Sequence, residues 1–311
     1  MNIVFMGTPD FSIPSLEILL ENGFNVVAVV TAPDHYGGRG GKQLLESPIK
    51  KFAISKGLPV LQPIKLRNPE FIKALQALNA DLQIVVAFRM LPEIVWNMPR
   101  LGTINLHGSL LPKFRGAAPI NWAVIRGETE TGVTCFKLKH DIDTGDIISQ
   151  AKFSILPDDN ASNVHDRMMH IGAKLILKTV NDMAAGPITF QTQDESGVSN
   201  APKLFHEDCK IDFNQDAKAI HNFIRGLSHF PLAHTMVDGK EVKIDQASYE
   251  ETLDYHGVEP GTIITDHKKK LSITCRNGVI NILKLKMEGK KLMTSQELLN
   301  GYKIVDFRIN Q

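Results

Sequence analysis

The sequence predicts a doubly wound, mostly parallel α/β domain followed by a small antiparallel β-barrel. Three observations carry this. Over the first 180 or so residues, continuous apolar runs alternate with helix-like segments, the pattern of a parallel sheet covered on both faces. The texture then changes near Gly186-Pro187, where Pro, Gln, Thr, Ser and Asn replace any periodicity. Beyond Pro231, short alternating stretches are separated by turn dipeptides such as Asp238-Gly239 and Asn277-Gly278. At 311 residues the chain is long enough for two domains. The expected division is 1–186, a linker over 187–204, and 205–311.

Ile3–Met6 reads as the first strand, closed by Gly7-Thr8-Pro9-Asp10, and Pro14–Asn22 follows with Leu and Ile at helical spacing. Val26–Val30 is the second strand, and a loop runs from Thr31 to Ser47. Ser47-Pro48 is a favoured cap and first-turn pair for a short helix, and Asn68-Pro69 opens another. Leu82–Ala87, Thr103–Leu106 and Gly132–Leu138 are further buried strands. In the second part, Ala217–Leu227 is a helix. It precedes Thr235–Val237, Glu241–Ile244, Thr262–Thr265, Leu271–Cys275 and Val279–Lys286.

Lys and Arg number 35 against 34 Asp and Glu, so no overall basic field marks a nucleic-acid binder. Cys135, Cys209 and Cys275 are far apart, which excludes a disulfide scaffold and a zinc ribbon. No apolar run approaches the roughly 18 residues of a membrane span, and the N-terminus reads as a strand rather than a signal peptide. A reduced, cytoplasmic, monomeric protein is expected.

Several motifs fail on inspection. Gly7 lacks the second and third glycines of a dinucleotide turn. Gly37–Lys42 lacks Walker spacing and reads as a surface loop, although its glycines around Arg39 suit delivery of a cation to a polyanion. Asp143-Thr144-Gly145 occurs once, whereas aspartic-protease chemistry needs two facing carboxylates. Asp141, Asp143 and Asp146 have no partner cluster for a hard cation, and His165 and His170 do not share a helix face.

The informative stretch is Asn105-Leu106-His107-Gly108, at the carboxyl end of a predicted buried strand. Alternation places Asn105 and His107 on one side. An amide and an imidazole there are ready donors for a developing oxyanion. The turn His140–Asp146 follows the strand Gly132–Leu138. In a parallel sheet it opens on the same edge as His107, so a carboxylate meets the imidazole. An amide donor, an imidazole and a carboxylate suit acyl-type transfer to an amine, whose proton must be removed.

Asn105, His107 and Asp143, with Ser109-Leu110-Leu111-Pro112 and Phe114–Pro119, resemble the formyl-transfer domain of enzymes that use 10-formyltetrahydrofolate. Phe5–Phe11, Thr31–Asp34 with Gly38–Gly40, Gly57–Val60 and Gln296–Gly301 extend the resemblance to the methionyl-tRNA formyltransferase family over nearly the whole chain. The resemblance implies a Rossmann-like folate-binding domain and an oligonucleotide-binding (OB-like) C-terminal barrel. It also implies Asn105, His107 and Asp143 as the catalytic trio, no metal in the reaction, and a folate site lined by Ser109, Leu110, Leu111 and Pro112.

Ala87–Pro92 departs from the family's usual segment beside that site and places Arg89 there; His234 stands where many relatives have Trp. The implied substrates are 10-formyltetrahydrofolate, released as tetrahydrofolate, and initiator methionyl-tRNA. Arg39 and Lys42 match the loop that meets the acceptor stem. Residues 205–311 are neutral, with 15 basic and 15 acidic residues, so tRNA contact rests on the clusters at Lys268, Lys269, Lys270 and Lys290. The alternatives are transfer to a sugar-nucleotide amine, transfer to glycinamide ribonucleotide, which needs only the first domain, folate hydrolysis, and a non-catalytic RNA-binding role, which leaves the trio idle.

Overall fold

Strand β1 (Asn2–Gly7) lies inside a seven-stranded sheet, paired on both sides. Along the chain follow α1 (Ile13–Glu21), β2 (Asn25–Val30), β3 (His35–Gly37), β4 (Gln43–Leu45), α2 (Pro48–Ser55), β5 (Val60–Leu61) and α3 (Pro69–Ala77). Then come β6 (Leu82–Val86), α4 (Glu93–Trp96), β7 (Thr103–His107), α5 (Pro119–Ile125), β8 (Glu130–Lys137), β9 (Ile147–Ser154) and α6 (Ala161–Ala185). The structure, a computed structural model, describes residues 1–38, 40–305 and 308–309.

The strand order is β5-β2-β1-β6-β7-β8-β9. The pairs β5–β2, β2–β1, β1–β6 and β6–β7 are parallel. Val4 and Met6 of β1 join Val30, Phe71, Leu75 and Val95 in one core cluster, while Ile3 and Phe5 alternate to the other face and are equally buried. This is why the strand reads as a continuous apolar run. Ser47 and Asn68 cap α2 and α3, their side chains accepting from the Lys50 and Glu70 amides, each with proline in the first turn. A Cβ on Gly7 would lie 2.7 Å from Ser12 Cβ, so this glycine serves close packing of the turn.

The expected loop 31–47 contains the hairpin β3–β4, with His35 opposite Leu45 and Gly37 opposite Gln43. Its base is clamped. Asp34 accepts from Lys50 and from Gln62 Nε2, Lys50 also pairs with Glu46 at 2.7 Å, and the Lys50 and Gln62 bonds hold the Asp34 carboxyl below its ordinary range.

The C-terminal elements are α7 (Ala217–Leu227), β10 (Ala233–Val237), β11 (Lys240–Glu251), β12 (Ile263–Thr265), β13 (Leu271–Cys275), β14 (Gly278–Met287), β15 (Met293–Thr294) and α8 (Ser295–Gly301). They form an antiparallel sheet ordered β10-β11-β14-β13-β12, with β15 added to β14. Register shifts around Gln246 interrupt the long β11–β14 ladder, and such irregularities let a sheet curl. Its core brings Ile220, Ile224 and Leu227 of α7 against Ile244, Ile273, Ile280 and Leu285. Asp238-Gly239 is a hairpin turn with both φ angles positive. The second hairpin turns on Arg276-Asn277, one residue earlier than expected. Gly278 is already in the strand, where a Cβ would meet the Glu250 carbonyl oxygen at 2.0 Å.

Contacts divide the chain into two compact units. One is Met1–Gly116, Thr131–Phe153 and His165–Asn200; the other is Ala117–Glu130, Ser154–Val164 and Ala201–Gln311. The second unit therefore does not begin at 205. It includes α5, because Asn121 Nδ2 donates to the Gly226 carbonyl at 2.8 Å and Gly226 lets α7 approach Ile125. It includes 154–164 because Arg225 donates to the Asp159 carbonyl at 2.7 Å. Residues 187–200, expected within a linker, are bound to the first unit, where Gln191 and Ile147 exchange backbone hydrogen bonds of 2.9 and 2.7 Å. Among the described residues, no helix is long and apolar enough to cross a membrane.

Candidate active site

Strand β7 carries two of the three groups. It extends through His107 rather than ending at Leu106, with Asn105 half-buried and His107 buried on the same side. Helix α6 packs on this strand at Gly172, where a Cβ would lie 2.7 Å from Leu106 Cδ2. The expected common edge with the turn after β8 does not exist. β8 runs antiparallel to β7, with Ile104 opposite Lys137 and His107 opposite Thr134, so that turn leaves from beside the start of β7.

The three groups meet because residues 138–146 fold back. Gly145 permits this: a Cβ there would fall 1.7 Å from the Lys137 carbonyl oxygen. Asp143 itself adopts φ +55°, a conformation that Asp tolerates better than most residues. Its Oδ2 accepts from the Gly116 amide at 2.9 Å and lies 3.6 Å from His107 Nδ1.

The imidazole is held at both nitrogens. Nε2 lies 2.8 Å from the Phe114 carbonyl oxygen, which can only accept, so Nε2 carries a proton and Nδ1 faces Asp143. By contrast, the Asn105 side-chain amide has no hydrogen-bond partner among the described residues and is free to donate. His107 and Asp143 form a couple able to hold a proton between ring and carboxylate.

Residues without any motif of their own build this geometry. Ser199 Oγ accepts from the Phe114 amide at 2.9 Å, and its carbonyl from the Arg115 amide at 2.8 Å, which holds the Phe114 carbonyl and the Gly116 amide against the couple. Gln193, 5% exposed, donates to the carbonyls of Asp143 and Gly145 at 2.7 and 2.8 Å. Arg115 in turn donates to Gln193 Oε1. No local pattern signals these bonds, which join positions 48 to 85 residues apart.

In the predicted folate loop, Ser109 is fully buried and its hydroxyl donates to the Lys113 carbonyl at 2.6 Å. Leu111 is buried too: its amide donates to Thr134 Oγ1, and its carbonyl accepts from Gln150. Leu110 and Pro112 keep partial exposure. Arg89 is committed to the protein, donating to the Ile64 carbonyl at 2.9 Å and to that of Pro63, and burial lowers its pKa. Lys42, Lys268, Lys269, Lys270 and Lys290 are exposed, and Arg39 lies outside the described residues.

Comparison with known proteins decides the family. The formyl transferase model matches residues 1–180, and the formyl transferase C-terminal domain model matches residues 203–303. The chain belongs to the formyl transferase family of enzymes. Within this family, it is 49% identical to the methionyl-tRNA formyltransferase of Bacteroides fragilis over 98% of this chain and 96% of the relative. Identity to that of Flavobacterium johnsoniae is 45%, covering 98% of each.

Among solved structures, the sugar 3N-formyl transferase WlaRD, determined with dTDP and 5-N-formyl-THF, has the same fold. Its TM-score is 0.67 at 19% identity, covering 94% of this chain and 99% of WlaRD. HypX from Aquifex aeolicus in complex with tetrahydrofolic acid gives a TM-score of 0.65 at 20% identity. That match covers 99% of this formyl transferase family member but only half of HypX.

Proposed function

We propose that this enzyme transfers a formyl group from 10-formyltetrahydrofolate to the α-amino group of methionine on initiator tRNA, for translation initiation in the cytoplasm. The reading is supported by relatives named for that reaction, at 49% identity over nearly their whole length. The observation that carries the chemistry is the free Asn105 amide beside the His107–Asp143 couple, whose nearest atoms are 3.6 Å apart. The donor set fits a folate formyl donor: one unpartnered amide for a carbonyl oxygen, with the partly exposed Leu110 and Pro112 in the loop that follows β7 for an apolar ring face.

10-Formyltetrahydrofolate supplies the formyl carbon and leaves as tetrahydrofolate, with a proton on N10. Asn105 donates to the formyl oxygen as charge develops there, a contact of a kind worth about 3–4 kcal/mol. Asp143 takes the proton from the attacking amine, directly or through water. His107, anchored to Phe114 through Nε2, faces that carboxylate with Nδ1 and holds it in position. Leu110 and Pro112 contact the donor, while Ser109 and Leu111 fix the loop that presents them. Arg89 supports the loop wall through Pro63 and Ile64. Lys42, Lys268, Lys269, Lys270 and Lys290, together with Arg39, contact tRNA phosphates.

The test is to incubate the purified chain with 10-formyltetrahydrofolate and either initiator or elongator methionyl-tRNA. Formylmethionine on initiator tRNA is the expected product. Formate release without an amine acceptor, or formylation of a sugar-nucleotide amine alone, would overturn the reading.

A further inference from the structure

Two histidines and a glutamate converge within the second unit, well apart in sequence from the groups used above. His206 precedes a short turn, His234 lies on β10 and Glu241 on β11. Glu241 Oε2 is 2.5 Å from His206 Nε2 and 3.8 Å from His234 Nδ1. The two rings stack, with centroids 4.2 Å apart and planes 14° from parallel.

The protonation pattern of His234 makes the arrangement informative. Its Nε2 lies 2.9 Å from the His206 carbonyl oxygen. A carbonyl only accepts, so Nε2 carries a proton, and in the neutral tautomer the lone pair is on Nδ1. His234 is 7% exposed, and Nδ1 is buried with no hydrogen-bond partner. The group facing it is a carboxylate oxygen, another acceptor. Two lone pairs directed at one another inside a protein call for a positive charge between them, either a proton, as at His107–Asp143, or a metal ion.

We propose that His206, His234 and Glu241 bind one divalent transition-metal ion of the zinc class. The ligand set is two imidazoles and one carboxylate, and a fourth position is left to water. Their ligating atoms already lie within 4.8 Å of one another. Tetrahedral zinc sets its ligand atoms about 3.3 Å apart and lies in the plane of each imidazole, so the His206 ring turns out of its stack on His234 when the ion binds. His206, with its side chain 61% exposed, is free to make that adjustment. The carbonyl bond at His234 Nε2 already fixes the tautomer that presents Nδ1 to a metal. Lys243 is the other charge nearby, and it pairs at 3.6 Å with the opposite oxygen, Oε1, leaving Oε2 to the histidines. The ion joins the chain at His206 to the β10–β11 hairpin, where the Ile211 amide already donates to the His234 carbonyl at 2.9 Å. Its role is structural.

The full-length chain is stripped with a chelator, dialysed and titrated with ZnCl2 by calorimetry, alongside His206→Ala and Glu241→Gln. Circular dichroism checks that both variants are folded. The expected result is one saturable ion per chain, a rise in Tm on binding, and at least tenfold weaker binding in both variants. Co2+ in place of zinc should give the visible absorption of a tetrahedral site. Absence of saturable binding, or full affinity retained in either variant, would overturn the proposal. The readout is independent of formyl transfer.

Discussion

Gln193 reaches across 50 residues to donate its side-chain amide to the backbone carbonyl of Asp143 at 2.7 Å, and a second bond of 2.8 Å fixes Gly145. Gln193 is thus a positioning residue: it touches the backbone that carries the carboxylate and no reacting atom. Gln193→Ala removes both bonds from a buried site, a loss of about 1–3 kcal/mol for each group left unsatisfied. The expected outcome is a fall in kcat with little change in KM for methionyl-tRNA. Gln193→Glu keeps an acceptor for Arg115 but loses both donors, so it should fall as far as the alanine variant. A merely structural role would lower Tm in both and leave the kcat-to-KM pattern unmoved.

The catalytic assignments separate by the size of their effects. Asn105→Ala removes the amide proposed to meet the formyl oxygen and should cost about 10²–10³-fold in turnover. Asp143→Asn removes the proposed proton acceptor, for an expected loss of about 10²–10⁴-fold. His107→Asn breaks the bond to the Phe114 carbonyl as well as the pairing with Asp143, so it should be at least as damaging as Asp143→Asn. Single-turnover formylation measures all three. Near-wild-type rates in any one would remove that residue from the mechanism.

Gly145 gives a prediction about the loop rather than the chemistry. A side chain there would place Cβ 1.7 Å from the Lys137 carbonyl oxygen, backbone that cannot rotate away. Gly145→Ala should therefore displace residues 138–146, lower stability by about 1–3 kcal/mol, and reduce turnover through Asp143. Thermal unfolding and kcat, measured together, check it. An unchanged Tm with full activity would show that the fold-back tolerates a side chain.

How much of the fold and site is legible in the sequence depends on the range of the interactions. Asn105 and His107 follow from strand alternation within one segment. The helices α2 and α3 announce themselves through Ser47-Pro48 and Asn68-Pro69. The direction of β8 does not, because a strand buried on both faces has the same continuous apolar pattern whether its neighbour is parallel or antiparallel. Gln193 is hidden for a different reason: its segment has linker-like composition, and only the folded Arg115 and Asp143 give its amide a task. α5 falls on the wrong side of the expected boundary because an apolar helix face does not specify which core it joins. His234 sits on a strand like any other, and its unpartnered Nδ1 emerges only when Glu241, diagonal to it on β11, turns its carboxylate toward the ring.

Asp266 supplies the pH prediction. Its Oδ1 accepts from the backbone amides of Lys268, Lys269 and Lys270 at 2.9, 2.7 and 2.8 Å, and these bonds lower its pKa from 3.8 to about 2. A carboxyl whose folded pKa is depressed stabilises the fold above its unfolded value and loses that contribution as pH falls through the folded one. The turn should therefore hold at neutral pH, weaken below 3.8 and open near 2. Amide exchange at Lys268, Lys269 and Lys270 reports this directly. Opening already complete at about pH 4 would contradict the assignment, and Asp266→Ala should open the turn at every pH.

That turn also carries the three exposed lysines proposed to meet tRNA. With their backbone amides gathered on one carboxylate, Lys268, Lys269 and Lys270 leave from one fixed turn rather than from a loose run. Removing a single lysine–phosphate pairing should reduce the salt dependence of tRNA affinity by about one unit of log–log slope. Reversal of all three charges to Glu should weaken initiator tRNA binding and flatten its salt dependence, with kcat at saturating tRNA preserved. Asp266→Ala keeps every lysine but releases the turn, so it should weaken binding while leaving the salt slope close to that of the wild type. Filter binding across a salt series separates the two effects. A triple reversal that leaves both affinity and slope unchanged would show that these lysines meet solvent and not tRNA.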